Sequence, residues 1–133
     1  MKITVDTNVL VGAAVQDDKH QARQVAKALK NAALVAVPLP ALCEFVWVLS
    51  RGYNKSPSDI SEAIHRLMNC ANVVMNRPAV EAGLSVMEMG GDFADGIIAY
   101  EGKLLGAEEL VSFDRQAVSI LLSQGHAARL LSE

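Results

Sequence analysis

Short, continuously apolar runs alternate with stretches of helical period along the chain. Ile3–Val5, Ala33–Val37, Asn72–Met75, Leu110–Phe113 and Ala127–Leu131 read as strands. Between them, helices are expected over 8–15, 19–31, 40–51, about 57–69, 77–89, 92–105 and 115–123. The punctuation agrees with this division. Pro38 stops the second strand, Ser56-Pro57-Ser58 opens a helix, and Gly52, Gly90-Gly91 and Gly106 close others. Strands that alternate with helices argue for a parallel sheet covered on both faces. Runs such as VAV and VVM suit strands buried on both sides. The 133 residues form one expected α/β domain, 1–133, with no repeat and no linker to divide it.

In open sheets of this kind, ligands sit beyond the carboxyl ends of the strands. Asp6 directly follows the first strand and Asp114 the fourth. Each also precedes a helix, where Asp is a favoured N-cap, and the two roles are compatible. Glu44 is the one charge in ALCEFVWVL. Leu42, Phe45, Val46 and Leu49 form the core-facing stripe of that helix, and Trp47 and Val48 make the side of Glu44 apolar as well. That helix is therefore expected to be buried or to lie at an interface, and a lone buried carboxylate such as Glu44 needs a basic partner or a cation. Asp92 and Asp95 stand three apart and share one helix face. Asp92 reads as the cap or as a support, and Asp95 as a functional acid preceding Gly96, Ile97, Ile98 and Ala99, which are expected to be buried.

Carboxylates brought together raise one another's pKa, and a divalent cation removes the repulsion. All-oxygen donors suit Mg²⁺ or Mn²⁺. His20, His65 and His126 fall in polar or helical surface contexts, so zinc is not expected.

Composition narrows the choice of partner. The chain is 51% hydrophobic with a formal net charge of −3, so bulk charge gives no support for phosphate binding. Nucleic acid would have to be drawn by local cations and bound metal. Arg51, Lys55 and Arg115 are candidate phosphate contacts, equally readable as solvated surface charge. No run approaches the ~20 apolar residues that span a bilayer. The start, MKITVDTN, lacks the features of an export signal. Cys43 and Cys70 form no metal-binding pattern and are read as reduced packing thiols in a cytoplasmic protein.

These residues together resemble the PIN domain, and within it the VapC-type toxins of bacterial toxin–antitoxin pairs. The resemblance covers nearly the whole chain. It rests on D-T-N at Asp6-Thr7-Asn8, on Glu44 in its apolar helix, on D-F-A-D-G-I-I-A from Asp92 to Ala99, and on S-F-D ending at Asp114. Gly96 departs from the pattern, since the family more often has Ala there, and is expected to loosen that helix turn. The resemblance implies a three-layer α/β/α fold with a five-stranded parallel sheet, a homodimer and a partner antitoxin. It implies RNA cleavage that needs Mg²⁺ or Mn²⁺ and leaves a 5′-phosphate and a 3′-hydroxyl. Asp6, Glu44, Asp95 and Asp114 would be the catalytic and metal-binding acids, with Thr7, Asn8, Asp92 and Ser112 in support.

Three other readings make different demands on the residues. A receiver domain needs an acid after strand three, where this chain has Met75-Asn76-Arg77. A haloacid-dehalogenase-like enzyme needs D-x-D after strand one, where this chain has D-T-N-V. A non-catalytic interaction module would keep the acids only as helix caps.

Overall fold

The computed structural model describes residues 1–132. The chain divides into two compact units, the first spanning Met1–Asn76 and the second starting at Arg77.

The first unit runs β1 (Lys2–Thr4), α1 (Thr7–Ala14), α2 (Lys19–Asn31), β2 (Leu34–Ala36), α3 (Leu39–Gly52), α4 (Pro57–Met68) and β3 (Val73–Val74). The strands pair in parallel in the order β1-β2-β3, with Ile3 opposite Val35 and Val35 opposite Val73. Parallel neighbours need a crossover, and the helices supply it. α2 starts because the Asp18 side chain accepts the Gln21 amide at 3.1 Å. Asn72 finishes it from a distance, donating its amide to the Leu29 and Ala32 carbonyls. α4 begins where expected, with Pro57 as its first residue and Ser56 accepting from the Asp59 amide. Leu42, Phe45, Val46 and Leu49 are buried, which is the stripe the spacing identifies.

The second unit runs α5 (Arg77–Glu88), α6 (Phe93–Leu104), β4 (Leu110–Ser112), α7 (Arg115–Ser123) and β5 (Ala128–Leu130). β4 and β5 pair in parallel, with Val111 opposite Arg129. Val86, Ile120 and Leu121 form a buried cluster, against which Ala99, Leu110 and Ala128 pack. α6 ends at a left-handed Gly106 (φ 105°), a conformation that disfavours any side chain.

The α/β class, the element order and the uniformly parallel pairing agree with expectation. The expected single five-stranded sheet is not what the hydrogen bonds draw: among the described residues the five strands form one group of three and one of two. Strands of only two or three residues make few ladder bonds, so short apolar runs reveal strands without fixing which of them pair.

Two further expectations change. Gly96 does not loosen its helix. A Cβ there would overlap the Ala82 carbonyl and come within 2.8 Å of Gly83 Cα, so glycine is what lets α6 lie against the α5 backbone. Ile98, expected inside with Ile97, is 55% exposed. One residue turns a helix by about 100°, which carries the side chain from the buried stripe to solvent.

Candidate active site

In the first unit, the chain leaves the sheet at the buried Val5, whose amide bonds the Ala36 carbonyl at 3.2 Å. Asp6 follows as the N-cap of α1, its Oδ1 accepting the Val9 amide at 3.1 Å. Thr7 Oγ1 donates to the Ala41 carbonyl at 3.4 Å, tying the start of α1 to the first turns of α3. Glu44 lies three residues beyond Ala41, so the Thr7 bond brings the helix that carries Glu44 to the start of α1. Asn8 is exposed. Thr7 thus bonds the backbone here, as an ordinary helix start does.

Glu44 is exposed rather than buried. Of the two apolar residues that suggested burial, Trp47 is itself 62% exposed and Val48 is half-buried. Pro40, Glu44, Trp47 and Arg51 form one solvent-facing strip at helical spacing, opposite the buried stripe. The inference that rested on burial of Glu44 therefore falls.

In the second unit, Asp92 caps α6, with Oδ1 accepting from the Ala94 and Asp95 amides at 2.7 and 3.3 Å. Asp114 caps α7, with Oδ1 accepting from the Ala117 amide at 3.1 Å. Ser112 Oγ accepts the Asp114 amide at 2.9 Å and so fixes the bend between β4 and α7. Asp95 is half-buried in the first turn of α6. Burial raises its pKa above the usual carboxylate value, and the negative charges of Asp92 and Asp114 raise it further. Acids at two helix starts, Asp92 and Asp114, therefore both act on Asp95 within this unit.

The four expected catalytic acids are divided two and two between the units. Within neither unit do three or more His, Cys, Asp or Glu side chains converge closely enough to hold a metal ion among the described residues. The donor chemistry nonetheless suits a hard cation, because the acids offer only carboxylate oxygens. Arg51 and Lys55, at and just beyond the end of α3, are exposed, as is Arg115, the first residue of α7. Among the described residues the two cysteines form no disulfide. Cys43 is half-buried, but Cys70 is exposed, donating to the Arg66 carbonyl, and is not a packing residue. His20 and His65 are exposed, as expected of solvated residues. His126 meets Lys103 from 23 positions away, a pairing that no local spacing announces. No helix among the described residues is long and apolar enough to cross a membrane.

A family model described as the PIN domain matches residues 3–120. No curated protein matches the chain.

Proposed function

The chain belongs to the PIN domain family, whose members are generally metal-dependent nucleases, and from that premise we propose that it is a Mg²⁺- or Mn²⁺-dependent endoribonuclease. The observation that carries this reading is the half-buried Asp95, whose pKa is raised by burial and then by the charges of Asp92 and Asp114, a strain that a divalent cation would relieve. Asp6 and Asp95 would hold the cation. Glu44 would reach it directly or through a water, and Asp114 would complete the acidic surroundings. A bound divalent cation lowers the pKa of water and offsets charge gathering on a phosphate. Glu44 would orient the attacking water or take its proton. Water adds to phosphorus, the 3′-oxygen leaves and takes up a proton, and the products are a 5′-phosphate and a 3′-hydroxyl. Arg51, Lys55 and Arg115 would contact phosphates, so their replacement by Ala should flatten the salt dependence of RNA binding.

Within this reading the protein is a VapC-type toxin, cytoplasmic and homodimeric, held inactive by an antitoxin. The exposed Trp47 supports that last part. A partner laid on the outer face of α3 would cover Trp47 and Glu44 together and bring a cation to the acids. A tight complex with a small co-expressed protein would support this part of the reading.

A second reading has its own observation: Asp6, Asp92 and Asp114 do cap helices, as they would in a non-catalytic module. Incubation of the purified protein with tRNA and total RNA, in Mg²⁺, Mn²⁺ or EDTA, separates the two. Cleavage that needs metal and is lost in Asp6→Asn supports the nuclease. Cleavage by pure Asp6→Asn at the unaltered rate would refute the site, and no cleavage under any condition would favour the module.

A further inference from the structure

A cavity of about 300 Å³ opens among α5, α6 and α7. Val86, Ala99 and Leu121 give it an apolar floor, and Tyr100, Lys103 and His126 line it with polar groups. Lys103 Nζ stands 2.5 Å from His126 Nδ1. An ammonium group can only donate, so Nδ1 accepts in this contact and Nε2 is the ring nitrogen left to donate. Lys103, His126 and Tyr100 thus bring three side chains able to donate to the lining of one hollow.

Among the described residues no Asp or Glu lines this cavity. A neighbouring hollow of about 230 Å³ shares Lys103 and His126 and does include an acid, Glu109. That carboxylate is engaged by Arg129 Nε at 2.8 Å. Among the described residues, Lys103 thus has an imidazole as partner and no acid bound to it. The far wall is fixed, because the Gln124 amide donates to the Ser85 carbonyl and hydroxyl at 3.3 and 2.9 Å.

We propose that this cavity binds a small carboxylic acid with a short aromatic or aliphatic tail. The carboxylate accepts from Lys103 and His126, and the tail lies on Val86, Ala99 and Leu121. The volume is at the lower end of the range for small-molecule sites, which limits the ligand to one ring or a short chain. Gly96, next to Asp95 in the chain, also lines the cavity, so occupancy should be sensed at the start of α6.

The test is an amide-resolved NMR titration of the full chain with sodium benzoate. Acetate, which has the charge without the tail, and benzyl alcohol, which has the ring without the charge, serve as comparisons. Saturable shifts are expected at Ser85, Ala99, Tyr100, Lys103 and Gln124. Acetate and benzyl alcohol should bind about tenfold more weakly or worse, as should benzoate to Lys103→Met, since each lacks a charge-assisted bond or the buried tail. Lys103 is exposed, so its loss should leave the remaining spectrum in place. Unshifted cavity amides, or equal affinity for benzoate and benzyl alcohol, would overturn the proposal on the unaltered protein alone. Undiminished binding to Lys103→Met would overturn it as well.

Discussion

Replacing Gly96 by Ala probes the packing that presents Asp95. The added methyl would overlap the Ala82 carbonyl and lie 2.8 Å from Gly83 Cα and 2.9 Å from the Ala82 carbonyl carbon. All three neighbours are backbone atoms of α5, so no side chain can rotate away. The helices must part by roughly half an ångström or more before these become ordinary contacts. Forced overpacking of a core costs about 1–3 kcal/mol. The better helix propensity of Ala returns up to ~1 kcal/mol. Because the clash is backbone on backbone, the cost belongs near the top of its range, leaving a net loss of about 2 kcal/mol. In a chain of 133 residues this lowers the melting temperature by roughly 6–10 °C. Gly102→Ala is the matched control on the same helix. Its nearest neighbour would be Ala107 Cβ at 3.9 Å, an ordinary contact, so the propensity gain should appear undiminished. Urea and thermal unfolding of both variants decide the matter. A Gly96→Ala protein as stable as the parent, or equal losses in both, would refute the close-approach argument.

Asp95 should titrate above the ordinary carboxylate range in metal-free protein, because of burial first and the charges of Asp92 and Asp114 second. Its folded pKa exceeds its unfolded one, so the stability it contributes is present below the unfolded value and is lost as pH rises through the folded one. Carboxyl-detected NMR should show the midpoint moving down in Asp114→Asn and on adding Mg²⁺; a midpoint indifferent to both contradicts the electrostatic account. Asp114→Ala should cost about 1 kcal/mol through the lost cap, and Asp114→Asn only a few tenths, measured by urea melts. Equal losses would remove the cap from the explanation. Phe45→Ala should cost about 3–5 kcal/mol, while Trp47→Ala, on the exposed face of the same helix, should stay within about 0.5 kcal/mol. A large loss at Trp47 would mean that its face is covered in solution.

Helices were legible in the sequence because their signals are local. Ser56-Pro57, Gly106 and the stripe through Leu42, Phe45 and Leu49 each act within one or two turns, and each falls where expected. Strand existence was legible for the same reason, but pairing was not, because the register of β2 against β3 depends on residues nearly 40 positions apart. Glu44 shows a different limit. Its neighbours are apolar, yet burial depends on which side of α3 meets other elements. A helix rich in apolar residues on both sides does not announce that side. The Asp95 environment was half legible: its spacing from Asp92 is local, while the influence of Asp114 arises only once α6 and α7 have folded.

Capping and cation binding do not compete for the same atoms. Asp6, Asp92 and Asp114 each give Oδ1 to a helix start, and among the described residues none gives Oδ2 to a hydrogen bond. The cap fixes the carboxylate by one oxygen and leaves the other with its lone pairs unspent. A ligand must be held in place before it can bind an ion with little further loss of freedom, and a cap holds it. The same helix start also turns its positive dipole end toward the capping side chain. Asp95 lies outside this arrangement: among the described residues no backbone amide bonds its side chain, and burial pushes it toward the protonated form. Of the acids in the second unit it is therefore the one that gains most from a nearby cation. The sequence rule that reads such an Asp as either a cap or a ligand poses a choice that a two-oxygen side chain need not make.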